Sequence, residues 1–206
     1  MSTLDHKIRQ LHEALAKAIN SDLSSVTPER GLTDQTYYCK LDFAQGKGDS
    51  ELHNVKTLLV ANIACLRDHL KAWCSKSGKP FHGDELIDTD QNVALVHDLW
   101  NIDKHAELNR PPRSGHQPEV HNLRQALRLS TGTAPGSSSV FTFDPSTGAM
   151  RTHMQGSGSV ELVISGEVVN EHGAVLGDFA QICETASTAW EQLLKQAGVP
   201  VPARQL

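Results

Sequence analysis

The sequence predicts an α+β fold: an N-terminal helical bundle followed by an antiparallel β-sheet and a C-terminal helix. Three observations carry that reading. Apolar residues recur at three- and four-residue steps through residues 1–108; they alternate, amid Gly, Ser, Thr and Pro, from 109 to about 177; and a helical stripe returns from Phe179 to Ala197. The chain thus divides into 1–108, a helical unit, and 109–206, a sheet region whose helix has the option of packing on the first unit as one domain.

Each element has its own signal. Leu4, Ile8, Leu11, Leu15 and Ile19 share one helical face, and the Thr27-Pro28 and Arg30-Gly31 region ends that element. Residues 36–43 (TYYCKLDF) place aromatic residues before the Gly46-Lys47-Gly48 turn and read as a short strand or an extended crossover. Leu52, Val55, Leu59, Ile63, Leu66, Leu70 and Trp73 form the cleanest stripe, predicting one helix over 52–76 that Ser77-Gly78-Lys79-Pro80 stops. Asp90 is placed to cap a helix over 91–108, which Arg110-Pro111-Pro112 terminates. These two helices are expected to lie antiparallel, Leu59, Ile63, Leu66 and Leu70 meeting Leu95, Leu99 and Ile102. Strands are expected at 123–131, 139–143, 149–155 and 159–169, with turns at 144–148 and at Glu171-His172-Gly173. Gly198 and Pro200 stop the last helix.

Composition narrows the function classes. With 38% hydrophobic and 21% charged residues the 206-residue chain is expected to fold in water, and a net charge of -5 argues against wholesale coating of nucleic acid. The longest nearly apolar run, 58–66, is interrupted by Asn62 and too short to cross a bilayer, and no signal pattern opens the chain. A cytoplasmic protein without a membrane partner is the expectation. The cysteines at 39, 65, 74 and 183 form no C-x-x-C pair and read as ordinary thiols.

The helix over 91–108 holds the candidate chemistry. At about 100° per residue, His97, Asn101, Lys104 and His105 fall in one polar sector, while Leu95, Leu99, Ile102 and Ala106 form one apolar sector and Val93, Val96 and Trp100 another. Asp103 falls between the apolar sectors, where a carboxylate needs a partner; Arg67 and His69 are the candidates. The bland alternative is a solvated helix face with an anchoring Asp.

The segment NIACLRDHL (62–70) followed by LWNIDKH (99–105) resembles the paired helices of bacterial HEPN-like proteins, the higher eukaryotes and prokaryotes nucleotide-binding family. The resemblance covers about 52–113. It implies a helical bundle that dimerises and, in many members, a metal-independent ribonuclease in defence, stress response or RNA processing. The family motif places an Arg, then a polar residue often Asn, and a His four to six residues after the Arg. His105 and Asn101 match; Trp100 stands where that frame has Arg. The resemblance therefore implies His105 as proton-exchanging group, Asn101 as orienting or phosphate-binding group and Lys104 as a substitute cation, with no metal and no cofactor. Substrate contacts are expected from His97, Arg110, Arg113, Arg124 and Arg128, the partner being RNA, at the meeting of two protomers of a homodimer.

Two other readings stay open. One is a noncatalytic dimerisation or ligand-binding module. The other starts from His97-Asp98, similar to the core of HD-type metal phosphohydrolases, with His69 as an extra ligand. From Arg110 to His153 five arginines face two acids, a net +3, which leaves -8 on the rest of the chain. Arg124 and Arg128 share one strand face opposite Leu127 and Leu129, so they are expected either to contact an anionic partner or simply to solubilise the sheet. His6, His12, His53 and His82 read as surface residues.

Overall fold

The computed structural model describes residues 3–20, 23, 26, 28–33, 36–41, 43, 48–105, 111–144, 146–147 and 150–204. Its elements in order are α1 (Thr3–Ala18), β1 (Ile19–Asn20), β2 (Pro28–Thr33), β3 (Thr36–Leu41), α2 (Asp49–Ala64), α3 (Leu66–Ser77), α4 (Gly83–Thr89), α5 (Gln91–His105), β4 (Glu119–Ser130), β5 (Ser138–Phe143), β6 (Met150–Gln155), β7 (Ser159–Val169), β8 (Val175–Asp178) and α6 (Phe179–Gln196). The fold is mixed: α1 to α5, with β1 and the β2–β3 hairpin between α1 and α2, precede the antiparallel strands β4 to β8 and a C-terminal helix.

β7 organises the main sheet. It pairs antiparallel with β4 along its length, Glu119 opposite Val169 and Ser130 opposite Ser159, while β1 and β8 share its other edge. The register slips between His121 and Arg124, where Asn122 takes a left-handed φ of 52°, a bulge that bends β4 and interrupts its ladder. β2 with β3, and β5 with β6, form separate two-stranded hairpins. α6 begins on Asp178, whose side chain accepts the Gln181 N–H at 3.0 Å, and ends where Gly198 takes φ 78°.

One hydrophobic core joins both halves of the chain: Leu4, Ile8 and Leu11 of α1, Leu59 and Ile63 of α2, Leu66 and Leu70 of α3, Val96 of α5, Val163 and Ile164 of β7, and Phe179 and Trp190 of α6. α6 packs both on β7 and on α5, so it serves sheet and helices at once. A smaller cluster of Leu23, Val26, Val160 and Leu162, with Phe43, Leu127 and Phe141 against it, forms a second apolar centre.

The helix expected over 52–76 is two. α2 ends at Ala64, Cys65 sits at φ -69° and ψ -14°, and α3 starts at Leu66. The interruption lets the two segments follow different neighbours: α2 packs on α1 and α5, α3 on α1 and α4. Asn62, buried beside the break, donates to the Leu58 carbonyl and accepts from Lys7 Nζ of α1, both at 2.8 Å. The helix α4, which the apolar pattern does not announce, is short and buries only Gly83 and Ile87. A Cβ on Gly83 would lie 2.5 Å from the Phe81 ring and 3.2 Å from Trp190, so glycine permits α6 to come this close. β1, β2 and β8 were likewise not anticipated, whereas 159–169 matches β7 and 36–43 contains β3. The Gly46-Lys47 part of its turn, and Pro145 and Gly148 of the later one, lie outside the described residues.

Candidate functional site

Asp90 starts α5 as expected: its carboxylate accepts the N–H groups of Asn92 at 2.9 Å and Val93 at 3.1 Å. The N-terminal half of the helix is enclosed, because α2, α4 and α6 pack around it and the chain after the helix returns along it. Two hydrogen bonds tie that return: Gln91 Nε2 donates to the Ser114 carbonyl at 3.1 Å, and the Ser114 N–H donates to Asp98 Oδ2 at 2.8 Å.

This enclosure corrects the expected open polar face. His97 is buried, Asp98 is 2% exposed, Asn101 is half-buried, and only Lys104 and His105 are exposed. The four polar residues share a helical sector, but the sector passes from the interior to solvent as the helix leaves its neighbours. Asn101 Nδ2 lies 3.0 Å from His97 Nδ1, and that ring nitrogen lies 3.8 Å from Asp98 Oδ1. Burial pushes the Asp98 carboxyl up, but the His97 side chain and the hydrogen bonds from Ser114 outweigh it and hold the carboxyl below its ordinary value.

The other expected contacts disperse. Arg113 is not a free phosphate ligand: it pairs with Asp88 at 3.0 Å and Asp84 at 3.4 Å. Asp84 also accepts Arg67 Nε at 2.7 Å, and Arg67 reaches Asp68 at 2.8 Å, so α3, α4 and the segment after α5 share one ionic network. The Arg67 hydrogen bond keeps the Asp84 carboxyl below its usual value. Arg128 is half-buried rather than part of an open basic face. Its guanidinium donates to Glu161 of β7 and to Glu184 of α6, the shortest contact to each being 2.6 Å. Arg124 is exposed, with Nη1 donating to the Asn122 carbonyl at 3.2 Å. Arg110 lies outside the described residues, as does the predicted end of the helix at 106–108.

Three further readings change. Asp103 is exposed and sits 3.8 Å from Lys56 of α2, not beside Arg67 or His69, because the sector between the two apolar faces opens to solvent at this end of α5. Trp100 packs partly buried against the core, as a large apolar residue in its sector should. His12 is not a surface residue: its side chain is 11% exposed and Nε2 lies 2.9 Å from Glu191 Oε1, which also accepts Arg204 Nε at 2.7 Å. No sequence pattern links these three residues, which come from α1, α6 and the tail. Among the described residues no group of three His, Cys, Asp or Glu side chains is placed to hold a metal ion, so His97-Asp98 has no ligand set around it.

What remains at the end of α5 is an ordered amide, Asn101, followed by a cation and an imidazole, Lys104 and His105, that are exposed and make no side-chain hydrogen bond or ion pair among the described residues. Such a set can bind an anionic oxygen by hydrogen bonding and charge. It includes no guanidinium from α5 itself. Comparison with protein-family models, curated proteins and solved structures gives no match.

Proposed function

We propose that the protein is a HEPN-like protein that binds RNA without cleaving it, with the exposed end of α5 as the contact. The observation that supports this reading is the position of Lys104 and His105, exposed one turn beyond an Asn101 held by His97. Binding is favoured over cleavage because Arg113, one of the cations expected to stabilise phosphate charge, is spent on Asp84 and Asp88, while Trp100 stands in the family Arg position as a packed ring. With Trp100 in the family Arg position, His105 retains a hydrogen-bond donor for phosphate but has no guanidinium from α5 itself to stabilise a phosphorane.

Fluorescence polarisation with labelled mixed-sequence single-stranded RNA, over a salt series and in EDTA, tests the reading. Saturable binding is expected, with the RNA intact on a denaturing gel. Lys104→Ala with His105→Ala should weaken binding and flatten the slope of log affinity against log salt by roughly 1 for each phosphate the variant no longer neutralises. Unchanged affinity in that double variant would remove the α5 end as the contact; cleavage in EDTA would move the reading to a nuclease.

A further inference from the structure

A cavity of about 790 Å³ lies where α3, α4 and α6 meet, away from the α5 end. Its volume is in the range of small-molecule sites. The cavity exists because α3 stops early: Gly78 takes φ 64°, the Lys79 N–H closes on the Cys74 carbonyl at 3.0 Å, and Pro80 carries the chain away before α4 begins. The walls are apolar, with Leu70 and Cys74 from α3, Leu86 from α4 and Leu193 from α6, and the polar lining includes Lys79, His82 and Glu85.

The charges of this lining are not equivalent. Glu85 has a partner in His82, Oε2 to Nδ1 at 3.3 Å. Lys79 has no carboxylate partner among the described residues. Its Nζ donates to the Ala197 carbonyl at 2.6 Å and lies 5.0 Å from the centre of the Trp73 ring, contacts that place the ammonium and use only one of its three N–H donors. The site therefore offers an open apolar cleft and one positioned cation, exposed at its rim and without a carboxylate partner among the described residues.

We infer that this cavity binds a small apolar molecule carrying one carboxylate, its body against Leu70, Cys74, Leu86 and Leu193 and its carboxylate on Lys79. The size of the cavity and the cation at its rim select this class: a neutral apolar ligand gains nothing from Lys79, and a small polar anion gains nothing from the apolar walls.

Calorimetric titration of the full chain with octanoate, and separately with octanol, tests the assignment. Wild type should bind octanoate saturably at one site, about tenfold more tightly than octanol. Lys79→Met should remove that preference while retaining octanol binding, and thermal melting should show the variant folded. Equal affinities for octanoate and octanol in wild type, a preference that survives Lys79→Met, or no saturable binding would each overturn the inference. None of these outcomes depends on whether the α5 end binds RNA.

Discussion

Asp98 holds the returning chain against α5, and its energetic role has a sign that pH can reveal. Its carboxyl lies below its ordinary value in the folded protein, so the stabilisation it contributes is present above the unfolded value, near pH 4, and is lost as pH falls through the folded value. Asp98→Asn should therefore shrink the loss of urea midpoint between pH 6 and pH 3 relative to wild type; an identical pH profile would show that the contact carries no linkage. Asp98→Ala should cost about 1–3 kcal/mol at neutral pH, because it leaves the Ser114 N–H buried without an acceptor. At the exposed end of the same helix the expectation reverses. His105→Ala should change stability by less than about 0.5 kcal/mol, whereas Trp100→Ala, half-buried against the core, should cost about 2 kcal/mol by thermal or urea unfolding. Sequence periodicity anticipated the role of Trp100 because apolar spacing reports packing directly. It missed the burial of His97 because a helical wheel assigns a direction and carries no information about which neighbours cover each turn.

At the scale of elements, Arg128 shows how a strand and a helix are joined. β4 supplies the cation, β7 and α6 the carboxylates, and all three side chains are only partly exposed. Arg128→Met should destabilise by about 2 kcal/mol, as two carboxylates lose their common partner in a partly dry setting, while Arg124→Ala on the same strand should cost less than about 0.5 kcal/mol. Equal effects in urea unfolding would contradict the difference in their surroundings. Alternation along 123–131 placed the two arginines together on one face; it did not show that the helix arriving from residues 179–196 would cover one of them. The break at Cys65 was hidden for a related reason. The stripe from Leu52 to Trp73 keeps its period across the break, so the apolar pattern is the same for one helix or two, and the difference lies in Asn62, whose bonds to Leu58 and Lys7 are tertiary as well as local. The strong caps were legible, since Asp90, Gly78 and Gly198 each act within a few residues of themselves.

For the whole molecule, assembly is the property that most affects the proposed function. Two copies meeting at their α5 ends would double the exposed cations available to one RNA, and we propose a homodimer of that form. Light scattering at tens of micromolar, an order-of-magnitude choice for weak association, should give twice the chain mass, and reversing the charge with Lys104→Glu should reduce RNA affinity. A monomer that binds RNA at full strength would separate the two ideas and end the dimer proposal. No helix among the described residues is long and apolar enough to cross a membrane.

The central place of β7 has a consequence for how the chain is made. Ile19, one residue past α1, pairs with Val163, and the core formed by α1, α2 and α5 is completed by β7 and α6. A ribosome delivers every helix of the first half before it delivers the strand that those helices need. Until residue 169 has cleared the exit tunnel for β7 and residue 196 for α6, the apolar faces destined for those elements stay open to water and to other nascent chains, an interval in which aggregation competes with folding. A release of the polypeptide at Gly158 would leave α1 to α5 without β7 and α6, with a permanent gap in their core.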